Sequence, residues 1–312
     1  MPFDFSSVVA PFRMQPGLRR LVPGAQQLTP SDPADRVVRE KLAVLSGFRD
    51  EAFVAEPAFD PAPALEALAA HAALEQPGAF TCRGSQSYRA PRLGWGLEHG
   101  RISGEGPAEI GALLGSLAPA WRLAGLLCLA FAEDFAVIDG ASARIPWLAV
   151  CLPSNWAPED KVGLHFSEVH APVADNAALL AASDHLARLV TGTDRWERFV
   201  WTLTDDARLD RHPRRTPPTR WDPSLDSEAL AQTAYFRTER QTFIPLPALR
   251  QAVFTIHVEV RPLRAALASP ADRARLHAAL ASMSPAVLAY RGLGPARDRL
   301  LDWLGHGETA AR

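Results

Sequence analysis

The sequence predicts an α+β fold, an antiparallel β-sheet with helical flanks on its N-terminal and C-terminal sides. Three observations point to it. Runs of strand character cluster between residues 131 and 260, while segments of helical period gather before residue 120 and after residue 262. The order is not the regular strand–helix alternation of a doubly wound sheet. Short links join neighbouring runs, Asp139-Gly140 after the first and Pro245-Leu246-Pro247 between two later ones, which suits antiparallel pairing. The simplest assembly is a five-stranded antiparallel sheet with helices on one face. Residues 1–120 form an extended and helical flank, 121–262 the sheet core and 263–312 the C-terminal helices, together one compact unit.

Residues 1–35 are rich in Pro and Gly and read as an extended segment lying on a core. From Pro33 to Phe53, the residues Val37, Val38, Leu42, Leu45 and Phe48 recur at helical spacing, with Ser31 or Asp32 as cap. Ala62 to Leu74 is a second helix, stopped at Pro77-Gly78, and Pro107 to Leu117 a third. Between them, residues 79–104 read as loops or short strands. Gly94 to Gly100 lacks the spacing of a nucleotide-binding glycine loop and reads as a turn. In the first strand Phe131, Glu133, Phe135 and Val137 share one face; Asp134, Ala136 and Ile138 share the other. Ile145 to Leu152 follows and is broken by Pro153, and a short helix over Pro158–Val162 ends at Gly163. Asn176 to Val190 is an amphipathic helix with Leu179, Leu186 and Leu189 inward. Trp196 to Leu203, Tyr235 to Phe243 and Ala252 to Val260 complete the strands. Residues 205–227 are a charged, proline-rich excursion expected at the surface, where its arginines could form a basic docking patch. Helices over Pro270–Met283, Pro285–Tyr290 and Pro295–Leu304 close the chain.

A chain of 312 residues can bury a large core. With 47% apolar residues and a net charge of −2, it is neither disordered nor basic enough for nucleic acid to be the expected partner. No run of about 18 apolar residues is present, so no transmembrane helix is expected. The N-terminus carries Asp4 and Pro11 rather than a basic region leading into an apolar one, and a cytoplasmic location is expected. Cys82, Cys128 and Cys151 are odd in number and widely spaced. That argues against a disulfide framework and against a cysteine-held zinc or iron–sulfur site. The absence of CxxC, HExxH, GxSxG, P-loop and EF-hand patterns argues against serine hydrolase, zincin and P-loop chemistry. The Pro, Ala and Arg content points to a high-GC bacterial genome.

Among the nine histidines, His170 stands out. Phe166 and Val169 make its approach apolar, and Pro172 biases Ala171 away from helix. A neutral imidazole held at a rigid helix end beside an apolar pocket suits an axial iron ligand, and equally a general base. A second group spans Arg237 to Thr242. On a strand, Arg237, Glu239 and Gln241 point one way, and Arg240 points the other with Phe236 and Thr238. An arginine facing the core needs an anion. Glu133 or Asp134 could supply it, or a ligand carboxylate or phosphate held by the bidentate fork. Glu133 and Asp134 place one carboxylate on each face of their strand, and pairing with arginine is favoured there over proton transfer. His257 lies opposite in face to Phe254, Ile256 and Val258; it is expected to be exposed, or else to line a second pocket. Trp156 and Trp201 read as core aromatics.

The order of several short motifs adds a resemblance. These are Pro11-Phe12-Arg13 with Pro16-Gly17-Leu18, Glu133-Asp134, Leu152-Pro153-Ser154 with Trp156, and Lys161 with Gly163. His170-Ala171-Pro172-Val173, the Arg237–Phe243 run with Leu246-Pro247, and Val253-Phe254-Thr255-Ile256 follow. Over roughly residues 10–265 this order resembles the haem-dependent oxidative N-demethylase alpha-subunit-like family. The resemblance implies a PAS-like antiparallel sheet enclosing haem b, with a histidine as axial ligand of the iron. It implies oxygen-dependent demethylation of a small secondary amine with release of formaldehyde. Electrons would come from NADPH through separate FMN and iron–sulfur reductase components, since the chain has no flavin or iron–sulfur motif. On the matching positions, His170 becomes the iron ligand. Arg240, Arg237 and Gln241 are expected at the haem near its propionates, with Trp201 beside the cofactor. Glu133, Asp134 and His257 form the candidate catalytic set. The chain departs from the family pattern at Ala132, Ala174, Val200 and His257, where Gln, Pro, Asn and Arg are usual. A non-catalytic haem sensor and a haem-free interaction domain are the other readings.

Overall fold

The structure, a computed structural model, describes residues 3–306. After strand β1 (Arg19–Arg20), helices α1 (Arg36–Gly47) and α2 (Arg49–Ala52) lead into β2 (Phe53–Ala55). Helix α3 (Ala62–Glu75) precedes four short strands, β3 (Thr81–Arg83), β4 (Ser87–Ala90), β5 (Trp95–Glu98) and β6 (Arg101–Gly104). Helices α4 (Ala108–Ser116) and α5 (Arg122–Ala130) bring the chain to the hairpin β7 (Asp134–Asp139) and β8 (Arg144–Ala149). Three short helices, α6 (Phe166–His170), α7 (Ala177–Ala181) and α8 (Ser183–Val190), come before β9 (Trp196–Thr204). Helix α9 (Ser227–Thr233) precedes the long hairpin β10 (Tyr235–Leu246) and β11 (Gln251–Pro262). Helices α10 (Leu263–Ala266), α11 (Pro270–Ala281), α12 (Pro285–Tyr290) and α13 (Arg297–Gly305) follow.

The fold is α+β, and the five expected strands lie together in one antiparallel sheet. That sheet has seven strands, in the order β1-β9-β10-β11-β7-β8-β2. The two added edge strands, β1 and β2, are two and three residues long, too short to show a periodic signal. Residues 81–104 resolve as a separate four-stranded meander. Strands β10 and β11 pair along their whole lengths, from Tyr235↔Pro262 to Leu246↔Gln251. Their turn closes through Arg250 at φ 52°.

Helices cover both faces of the sheet, not one. The strands themselves explain why: Asp134 to Ile138 are all buried, so neither face can be left to water. On one face Val190 of α8 packs with Ile138 and Phe243. The end of α8 lies so close to the β7–β8 turn that a Cβ on Gly140 would sit 2.2 Å from Thr191 Oγ1. The other face is crossed by a strap, residues 26–31. Gln27 Nε2 donates to Thr242 Oγ1 and to Phe243 O, both at 3.0 Å. Helix α3 holds the strap from behind, Glu75 Oε1 accepting from the backbone N–H groups of Gln27 and Leu28. The apolar run near residues 123–132 becomes α5, buried all round from Ala124 to Ala130.

The excursion over residues 205–227 also differs from expectation. Arg211 and His212 are 1% and 0% exposed. Arg211 bonds Asp206, Asn155 and Thr219, Arg215 pairs with Asp210 and Glu51, and Arg214 with Glu159. These arginines tie the loop to Asn155, Glu159 and Glu51.

Candidate functional site

The pairing register sorts the candidate side chains onto two faces. Thr238, Arg240 and Thr242 of β10 lie level with Trp201, Phe199 and Glu197 of β9, and with Glu259, His257 and Thr255 of β11. This is the strap face. Arg237, Glu239 and Gln241 lie level with Thr202, Val200 and Arg198, and with Val260, Val258 and Ile256. Asp134 joins them opposite Ile256. This is the cleft face, over which α6 to α8 fold.

His170 is the last residue of α6, a five-residue helix fixed at both ends. At its start His165 Nδ1 accepts from Ser167 N while Glu168 Oε2 accepts from His165 N, a reciprocal capping box. His165 Nε2 lies 3.0 Å from Asp184 Oδ1 on α8. At its end Asn176 Nδ2 donates to the carbonyls of His170 and Ala171, and Lys161 Nζ donates to Val169 O. The helix therefore presents its histidine in one orientation. His170 Nδ1 lies 2.8 Å from Phe166 O. A carbonyl can only accept, so Nδ1 carries the proton and Nε2 keeps its lone pair. The Phe166 ring centroid lies 4.3 Å from that of the imidazole. Burial pushes the His170 pKa down to about 4, with Arg198 and Lys161 adding to the effect and the bond to Phe166 O opposing it. The imidazole is neutral at pH 7.

The cleft face carries Val200, Glu239, Gln241 and Arg198 in neighbouring cross-strand rows. Gln241 Nε2 donates to Glu239 Oε2 at 2.5 Å. Arg291, at the end of α12, reaches the edge of β9 and donates to Trp201 O. Burial lowers its pKa to about 10. The Arg198 side chain is half-buried and has no hydrogen-bond or ion-pair partner among the described residues.

Two other cleft-face candidates are closed off. The Arg237 guanidinium donates to Ser154 Oγ at 2.8 Å, to Arg208 O and Leu209 O, and weakly to the carbonyls of Leu152 and Pro153. Asp134 Oδ2 accepts from Leu152 N at 2.7 Å, and its Oδ1 lies 3.1 Å from Lys41 Nζ. Both residues hold the chain at 152–154, where β8 ends.

On the strap face the structure gathers Arg240, His257, Glu133 and Trp201, with the sheet between them and His170. Arg240 donates to Glu197 Oε2 at 3.0 Å and to Gln26 O at 2.8 Å. Its carboxylate partner is thus Glu197 and neither Glu133 nor Asp134. His257 is not exposed: its side chain retains 11% of its accessible surface. It lines a cavity of about 10 Å³ with Phe3, Phe199, Thr238, Arg240 and Glu259, room for about one water. His257 Nδ1 is 3.3 Å from Glu133 Oε1 and 3.4 Å from Thr29 Oγ1. Burial raises the Glu133 pKa to about 7 and lowers that of His257 to about 4. Trp201 packs on Phe12 and Phe236 in the C-terminal core.

Two residues escaped the sequence reading. Lys41 is 0% exposed and donates to the carbonyls of Cys128, Phe131 and Glu133 as well as meeting Asp134. Its signal was its place on the apolar stripe of α1, between Val38 and Leu45. Arg198 was visible as a charge beside Val200 and Thr202 on one side of a central strand. Two clusters of metal-type side chains also occur, Cys128 with Asp134 and Cys151, and Glu51 with Glu159 and His212. Each already meets cations of the chain: Lys41 in the first, Arg214 and Arg215 in the second.

The His170 cleft fits an iron porphyrin. It offers a neutral imidazole with a free Nε2 and a fixed Nδ1–H, on a face that also carries the half-buried Val200 and Arg198. A family model described as haem-dependent oxidative N-demethylase, alpha subunit-like, matches residues 121–301. That span runs from α5 to α13 and contains both His170 and Arg198. No described helix is long and apolar enough to cross a membrane. Matched over more than half of its 312 residues, this chain belongs to the haem-dependent oxidative N-demethylase alpha-subunit-like family.

Proposed function

We propose that the chain is the haem-binding component of an oxidative N-demethylase, in which His170 Nε2 would hold the iron of haem b and electrons would come from a separate flavin and iron–sulfur reductase. The observation that carries this is the 2.8 Å bond from His170 Nδ1 to Phe166 O. It fixes the tautomer a metal requires and turns the ring so that Nε2 is the free nitrogen. When bound, the haem iron supplies the redox centre for oxidising an N-methyl group. A secondary N-methylamine, dioxygen, two electrons and two protons then give the demethylated amine, formaldehyde and water.

The rest follows from the residues of the chain. His170 is already neutral at pH 7, so it binds metal without first losing a proton. The capping box and Asn176 hold α6 still, so the ring need not be ordered on binding. Glu133, His257 and Arg240 act from the other face of the sheet, supporting the strap and β7 rather than touching a ligand at His170. Asp134 and Arg237 fix the 152–154 segment.

The test is a titration of the purified chain with haemin, followed by reduction and carbon monoxide. The parent develops a Soret band that saturates at one haem per chain. Supplied with NADPH and a flavin/iron–sulfur reductase, it releases formaldehyde from small N-methylamines. A chain that stays colourless in excess haemin overturns the proposal; one that binds haem but releases no formaldehyde is a sensor or carrier.

A further inference from the structure

The helix that carries His170 begins on a second histidine, and that histidine has to be neutral to cap it. We propose that His165 is the positioning residue of the His170 ligand and works by a proton: protonation of its ring releases the start of α6, and with it the fixed imidazole of His170. That His170 holds iron rests on the haem reading above; the cap itself does not.

Two groups converge on His165 Nδ1, Ser167 N at 3.2 Å and Ser167 Oγ at 2.8 Å. A backbone N–H can only donate, so Nδ1 holds a lone pair and Nε2 carries the proton towards Asp184 Oδ1 at 3.0 Å. A second proton on the ring fills Nδ1. Ser167 Oγ can then turn from donor to acceptor, but Ser167 N cannot, and the cap is lost. The effect reaches His170 in one step. Phe166 is the first residue of α6, and its carbonyl is the group that accepts from His170 Nδ1 at 2.8 Å. A helix of five residues has no second full turn to keep that carbonyl in place.

Few other charges bear on the ring. Helix α7 has none, and α8 brings Asp184, His185 and Arg188. Strand β8 brings Arg144, across a backbone bridge to His165. In the segment itself, the Glu168 carboxylate accepts from His165 N and the Lys161 ammonium donates to Val169 O. Only Asp184 lies within ion-pair distance of the imidazole among the described residues. A carboxylate there accepts from the ring in either protonation state, so it keeps the side chain in place without supplying the acceptor that Ser167 N loses.

The test follows amide exchange across α6 in the metal-free chain, and haemin affinity by Soret titration, from about pH 5.5 to 8, a range in which imidazoles titrate. The parent is compared with His165→Asn, whose capping oxygen takes up no proton in that range, and with His165→Ala, which has no cap. In the parent, protection of the α6 amides, corrected for the pH dependence of intrinsic exchange, is expected to fall about fivefold on acidification, the equilibrium worth of one N-cap. Haemin affinity is expected to fall with the same midpoint. His165→Asn should stay at the high-pH level throughout, and His165→Ala at the low-pH level. An Asn variant that keeps the parent's pH profile overturns the proposal, because another group then carries the proton. A parent whose α6 protection ignores pH overturns it too. So does protection that changes with pH while haemin affinity does not, since His165 then caps α6 without positioning the ligand. A parent that binds no haemin overturns the haem reading and the positioning role together, and the amide profile tells that failure from a failure of the cap.

Discussion

Glu133 and His257 form a buried pair whose two protonation equilibria oppose each other, and separating them reverses the pH dependence of stability. In the folded protein the acid is held protonated and the imidazole neutral. Burial, the first cause in each case, moves Glu133 up to about 7 and His257 down to about 4. In the unfolded chain the same proton sits on the imidazole, because an exposed carboxyl titrates near 4.5 and an exposed histidine near 6.5. Between those values both states of the pair hold about one proton, so its two contributions cancel. A carboxyl with a raised folded pKa contributes stability that is complete below its unfolded value and lost as pH rises through its folded value. Replacing His257 by Gln leaves only this behaviour, and because the imidazole's opposing contribution is gone, stability relative to the parent falls from about pH 4 to 6.5. An imidazole with a lowered folded pKa does the reverse. Glu133→Gln leaves only that, and because the carboxyl's contribution is gone, stability relative to the parent rises from about pH 4.5 to 7. Each slope approaches about 1.4 kcal/mol per pH unit, or about 2 kcal/mol across the window. Urea unfolding of the parent and both variants at pH 4.5, 5.5, 6.5 and 7.5 measures it, each variant read as its difference from the parent. Slopes of the same sign in the two variants refute the reasoning, because they mean that the pair does not share a proton count between the two states.

Lys41→Met leaves Asp134 without its cation and three main-chain carbonyls without their donor. A loss of about 3–5 kcal/mol is expected in urea unfolding. Adding Asp134→Leu should recover part of it, and a double variant as unstable as the summed singles would contradict the pairing. Gly140→Ala forces a Cβ to within 2.2 Å of Thr191 Oγ1 and is expected to cost about 1–3 kcal/mol. Thr191→Ala in the same chain should relieve part of that strain, and no relief would mean that the helix end is not what demands glycine there.

The strands were legible because their apolar runs are long. Phe135 to Ile138 and Val253 to Val258 are buried on both faces, and that continuity identifies strands but conceals which face meets which neighbour. His257 therefore read as exposed, although the Pro/Gly-rich segment before Ser31 had been recognised as lying on a core. What it covers is set by Gln27 and Thr29, two polar residues whose partners lie some two hundred positions away in sequence. The same distance hid the excursion at 205–227: its arginines look solvated until Glu51 and Glu159 arrive from other parts of the chain. His170 was legible because its determinants are local, within Phe166 to Asn176. Arg198 was not, because what marks it is the lack of a partner, and only the folded chain shows which arginines already have one.

The central claim is that His170 Nε2 ligates the iron. Its most direct test is His170→Gly loaded with haem, examined by absorption and low-temperature electron paramagnetic resonance, with and without added imidazole. The variant is expected to lose the parent's histidine-ligated spectrum, and free imidazole, filling the space the side chain vacates, is expected to restore it. A variant that keeps the parent's spectrum without imidazole would contradict the claim and place the ligand elsewhere.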